Sequence, residues 1–147
     1  MFRFLKYTVL LSALALALGS CGEYQRVQKS TDYDYKFDYA KRAFEEKRYV
    51  QAATILEDCI TVFKGRDRAE ESLYLLAMSH YENKDYETSG SYFRTYYSRY
   101  PKGKYAEPSR FYCGYGYYLD SPEAQLDQSG TCLLYTSPSP RDPKTSR

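Results

Sequence analysis

A small residue returns every 37 positions in this chain, as Ala40, Ala77 and Gly114, and this interval constrains the fold more than any other feature. Self-similarity at a fixed period of a few tens of residues signals stacked supersecondary units, each burying its apolar face on its neighbour. Between these markers the pattern is helical. Ala52, Ala53, Ile55, Leu56, Cys59, Ile60 and Phe63 follow i, i+3, i+4, i+7 spacing, which lines one face of a helix. Helix breakers stand at Lys64-Gly65, Asn83-Lys84-Asp85 and Pro101-Lys102-Gly103. The spacing predicts helices over 33–47, 50–64, 68–83, 86–100 and 105–119, with Tyr49 and Tyr86, again 37 apart, each opening the second helix of a pair.

Paired helices of equal length invite comparison with the tetratricopeptide (TPR) pattern W-x2-L-G-x2-Y, A-x3-F, P. Leu73, Leu76, Ala77, His80, Ser89, Phe93 and Pro101 stand at those spacings in the second pair. The first pair offers Tyr39, Ala40, Ala43, Ala52 and Leu56, with Lys64 where the proline would be; the third begins Cys113-Gly114 with Tyr117. The chain resembles an all-α, TPR-like helix-turn-helix solenoid of about two and a half repeats. The repeats are expected at 33–65 and 66–102, with the first helix of a third and a following loop at 103–131. The interval exceeds the usual TPR length of about 34 residues, so a helix or loop is lengthened.

The same interval aligns aromatic residues. Phe37, Tyr74 and Phe111 form one column, Phe44, Tyr81 and Tyr118 another, and Lys41, Met78 and Tyr115 stand between them. In TPR proteins these first-helix positions tend to face the concave groove. The resemblance therefore implies a peptide- or partner-binding surface made of these nine residues. The alternative is that the columns pack neighbouring helices.

Both termini read differently from the repeats. Arg3 and Lys6 precede an apolar stretch from Val9 to Leu18 that is too short to span a bilayer, the layout of a signal peptide over 1–20. Leu18-Gly19-Ser20-Cys21 resembles a bacterial lipobox, in which Cys21 is acylated, leaving 21–32 as a lipidated linker. The competing reading is an ordinary secretory signal with Cys21 incidental. With Gly22 rather than Asp following, the expected destination is the outer membrane. Beyond Thr131 the composition shifts abruptly. One reverse translation of Cys132–Ser137, TGT-CTC-TTA-TAC-ACA-TCT, is similar to the transposon mosaic end of sequencing adapters. CCG-AGC-CCA-CGA-GAC continues the adapter through Pro138–Asp142. Residues 132–147 are thus expected to be an adapter-derived artefact that truncates the repeat array.

With Cys21 and Cys132 set aside, Cys59 and Cys113 could pair as a disulfide in an exported chain, but both occupy core repeat positions and are expected as free thiols. His80, the only histidine, occupies a core position and is expected to be structural. Asp32, Asp34 and Asp38 favour a helix N-terminus rather than a metal. No phosphate loop, metal spacing or nucleophile–base pair stands out, so no enzyme, cofactor or metal is expected. The net charge of +2 is uninformative and no basic cluster suggests nucleic acid; no small-molecule substrate is expected.

A lipobox cysteine, a short linker and long TPRs together resemble the BamD family, lipid-anchored outer-membrane proteins of the β-barrel assembly machinery. Tyr100-Pro101-Lys102-Gly103-Lys104-Tyr105 is similar to the family's YP-x-(G/S)-x-Y junction. Ser121-Pro122 through Leu126-Asp127-Gln128 is similar to the family's entry into the next helix. The resemblance spans about 21–131 and is nearest in character to versions from the Bacteroidetes group. It implies a lipid-anchored scaffold, on the periplasmic face, that binds the barrel-assembly subunit and unfolded outer-membrane protein segments. A TPR lipoprotein coordinating cell-wall or division complexes is the alternative.

Overall fold

The computed structural model describes residues 22–66 and 68–120. The expected signal peptide, the lipidation at Cys21, the segment 121–131 and the adapter-like stretch 132–147 lie outside the described residues. Among the described residues a short helical segment at 22–29 is followed by five longer helices: α1 (Tyr33–Glu45), α2 (Tyr49–Val62), α3 (Ala69–Glu82), α4 (Tyr86–Arg99) and α5 (Ala106–Asp120). Their bounds depart from the sequence expectation by at most two residues. Each helix packs on the next, and α1 also touches α3. Ala40 and Ala77 are fully buried where helices approach closely, and Gly114 is buried too.

The helix starts use different devices. Asp32 caps α1, its Oδ1 accepting from the amides of Asp34 at 3.0 Å and Tyr35 at 3.1 Å. Asp85 caps α4 through the Thr88 amide at 3.3 Å, whereas α2 opens at Arg48 with no side-chain cap. The turns inside the two hairpins are copies of each other. Lys47 and Lys84, 37 apart, adopt positive φ of 60° and 64°. Arg48 N donates to Ala43 O and Lys47 N to Phe44 O; Asp85 N and Lys84 N donate to His80 O and Tyr81 O in the same way. This is the paired bonding of a Schellman helix end, normally built on glycine.

One segment departs from expectation. Residues 22–29, within the expected linker, are helical. Val27 is fully buried in the core, and the Tyr24 ring stacks on Tyr39 with centroids 6.3 Å apart. Tyr24 and Val27, three apart, and the Glu23 carboxylate 3.0 Å from Arg42 dock this short helix on α1, a signal too short to stand out as periodicity.

A polar clamp fixes α5 against the rest. Glu70 on α3 accepts hydrogen bonds from the Tyr96 hydroxyl on α4 and, at 2.6 Å, from the Lys104 amide; the Tyr105 amide donates to Tyr96 Oη at 3.0 Å. Burial and the Glu70 bond raise the Tyr96 phenol well above its ordinary pKa. Gly103 permits the turn, because a Cβ there would lie 2.6 Å from Glu70 Oε1. Gly103 belongs to the Tyr-Pro-Lys-Gly-Lys-Tyr junction, so the junction is the seat of this clamp.

Two expectations follow. Lys47→Gly and Lys84→Gly each relieve a left-handed side chain and are expected to raise stability by about 0.5–1 kcal/mol, read as a higher urea midpoint. Tyr96→Phe removes a buried donor from a carboxylate and is expected to cost about 1.5–3 kcal/mol. Combined with Glu70→Ala it should cost clearly less than the sum of the two; strict additivity in urea melts would count against the clamp.

Candidate protein-binding surface

The nine residues singled out by periodicity do not share one environment. On α1, Phe37 is only 2% exposed. Its ring meets Phe63 edge-on at 6.0 Å, with the Arg68 guanidinium 5.2 Å and the Lys41 ammonium 5.6 Å from its centroid. Phe44 is half-buried against Tyr49 at 5.5 Å. Lys41 ties α1 to α3 through Glu71 at 2.7 Å, and this hydrogen bond raises its pKa.

On α3, Tyr74 is half-buried. It stacks on Tyr105 at 4.2 Å with rings 6° from parallel and meets Phe93 and Tyr96 at 5.9 Å each. Met78 lies beside it in the cluster around Ala77, Phe93 and Cys113. Tyr81 meets Tyr112 at 4.9 Å and Tyr86 at 5.4 Å. Burial pushes the phenols of Tyr74 and Tyr81 up to about 12.

On α5 the picture reverses. Phe111 is 60% exposed, Tyr115 38%, Tyr118 54%, and neighbouring Leu119 40%. The three rings form a near-parallel ladder, Phe111 to Tyr115 at 5.6 Å and 19°, Tyr115 to Tyr118 at 6.0 Å and 18°.

Among the described residues the columns lie along the first helices, and their most exposed aromatic rank is on α5, beyond which the residues are not described. Phe37 is corrected from a groove residue to a core residue. Phe44, Tyr74, Met78 and Tyr81 are largely consumed by packing. The physical reason is their cover from the next helices: Arg68 lies over Phe37, and Tyr105, 37 residues later, lies over Tyr74. Leu75 packs in the Phe44 cluster, and its counterpart Tyr112 packs on Tyr81. These covering residues were missed in the sequence. Their signal was available, since they recur at the same interval.

The two cysteines and the acidic residues near the start of α1 have definite places in the structure. Cys59 and Cys113 are buried and free, not a disulfide. Burial pushes the Cys59 thiol up to about 12 and raises that of Cys113, which keeps both as inert thiols. Asp34 and Asp38 pair with Arg68 at 3.3 and 3.2 Å. Among the described residues no group of three or more His, Cys, Asp or Glu could hold a metal ion, and no helix is long and apolar enough to cross a membrane.

The tetratricopeptide repeat family model matches residues 71–103, covering α3, α4 and the clamped turn. No curated protein matches the chain. The chain carries a TPR, its fold is an all-α TPR-like helical repeat, and such repeats are protein–protein interaction scaffolds.

The two kinds of aromatic position should separate on mutation. Phe37→Ala is expected to cost about 3–5 kcal/mol, as for other buried phenylalanines. Phe111→Ala should stay within about 0.5 kcal/mol of the parent. Thermal melts of the two variants check this; equal losses would contradict the assignment.

Proposed function

We propose that the chain is anchored in the outer membrane through acylated Cys21, facing the periplasm, and serves as a scaffold in the assembly of outer-membrane β-barrel proteins. In this reading it binds a barrel-assembly subunit and unfolded outer-membrane protein segments. The observation that carries it is the near-parallel ladder of Phe111, Tyr115 and Tyr118 on α5, the last described helix. Stacked rings rooted on a rigid helix offer large contact area at little entropic cost, which suits bulky apolar side chains of an unfolded segment. The lipobox-like Leu18-Gly19-Ser20-Cys21 and the Tyr100–Tyr105 junction support the same reading.

Expressed in a bacterium that acylates lipoproteins, the protein is expected to fractionate with the outer membrane, and Cys21→Ser to release it. After mild solubilisation it should co-purify with a barrel protein carrying periplasmic domains. Phe111→Ala/Tyr118→Ala should weaken binding of an unfolded barrel-protein segment at least tenfold with helicity unchanged. Recovery of cell-wall or division proteins in place of a barrel protein would move the assignment to that alternative.

A further inference from the structure

The short helix at 22–29 runs antiparallel to α1. Glu23 meets Arg42, in the last turn of α1, at 3.0 Å, and Tyr24 stacks on Tyr39. Farther along, Val27 is fully buried. The connection into α1 is tight: Ser30 N donates to Val27 O at 3.0 Å and Asp32 N to Ser30 Oγ at 3.1 Å. Gly22 therefore lies beside the C-terminal end of α1. The α1–α2 turn at Lys47 is on this edge of the stack, and so is the α3–α4 turn at Lys84, since Tyr49 and Val50 share a cleft with Asn83 and Asp85. The turn at Lys64 is on the opposite edge, about 20 Å away for helices of this length.

Docking of 22–29 changes how far the repeats can stand from an anchor. Cys21 precedes Gly22 by one peptide bond, so the two Cα atoms are about 3.8 Å apart. A free linker over 21–32 would reach about 40 Å when extended and let the repeats tumble. With 22–29 held on α1 that reach is gone, and acyl chains on Cys21 would set the Lys47–Lys84 edge at the bilayer. This edge has two features of its own. Val50, at 62%, is the most exposed large hydrophobic side chain among the described residues. Lys47 and Lys84 are both exposed and both left-handed, where glycine would be unstrained. Strain retained at two copies of one position points to a use for the side chain. Exposed Glu45 and Glu82 are close by, so charge alone would not bring this edge to a membrane.

We propose that the edge carrying Lys47, Val50 and Lys84 lies on the phospholipid surface, with the docked helix 22–29 as the rigid coupler between acylated Cys21 and the repeats. This rests on the acylation of Cys21 in the reading above and adds the orientation of the array. The lysine stems reach along the interface and their ammonium groups meet lipid phosphates, while Val50 is covered by lipid. The opposite edge, with the Lys64 turn, points away from the membrane.

The acylated protein, produced from the full chain, is placed in vesicles of phosphatidylethanolamine and phosphatidylglycerol that contain a lipid with a nitroxide on its headgroup. A fluorophore is attached at Asn83→Cys on the proposed edge or at Lys64→Cys on the opposite one. Both are made in a Cys132→Ser background, since Cys59 and Cys113 are buried. Quenching at 83 is expected to exceed that at 64 by about threefold or more, given edges about 20 Å apart. A flexible Gly/Ser segment of about ten residues inserted after Gly22 leaves the helix docked and should erase this contrast. Val27→Glu, which undocks the helix, should erase it too, with far-ultraviolet circular dichroism of the repeats retained. Equal quenching at 83 and 64 in the acylated parent overturns the orientation and leaves the anchor standing. A contrast that survives the insertion overturns the coupler. Absence of acyl mass on Cys21 overturns this proposal and the anchoring reading together.

Discussion

The parallel stack of Tyr74 on Tyr105, 4.2 Å apart, is the contact from which the geometry of α5 follows. It forms only because the turn at 101–105 folds back onto α3, and that turn is held by Glu70 through the Tyr96 hydroxyl and the Lys104 amide. An apolar stack and a charge-assisted network therefore share one junction. Losing either frees the other, because a carboxylate that has surrendered solvent needs its donors and a turn without them no longer presents Tyr105.

The equivalent junction one repeat earlier does the same work with different groups. Arg68 lies over Phe37 and reaches Asp34 and Asp38, so a cation over a ring replaces ring on ring. Stacked repeats interact only with their neighbours, which lets each seam vary its chemistry while keeping its spacing. Lys36 shows the same latitude: its stem is buried while its ammonium reaches the half-exposed Asp58 at 2.8 Å.

This locality explains which parts of the candidate surface were legible. The helices, their pairing, the buried small residues and the free thiols all follow from periodicity along one strand of sequence, and periodicity is a local property of burial. The exposure of the aromatic columns does not. Phe37 and Phe111 occupy the same repeat position, yet one is 2% and the other 60% exposed. Nothing in either residue or its helix differs enough to say so. Exposure depends on what stands beside the ring, and Arg68, Tyr105 and Tyr112 come from the next helix pair.

The sequence by itself determined an all-α stack with a 37-residue unit, the breaks between helices, and the core positions of Cys59 and Cys113. Only the tertiary structure decided that 22–29 docks as a short helix, that Glu70 clamps the junction, and that Phe37 and Tyr74 are covered by Arg68 and Tyr105. The division has one cause. Helix period and breakers are written in residues within a few positions of each other. Cover such as Arg68 over Phe37 and Tyr105 over Tyr74, and the reach of Glu70 to Tyr96 and Lys104, join residues 26 to 34 positions apart, and their distances are set by packing.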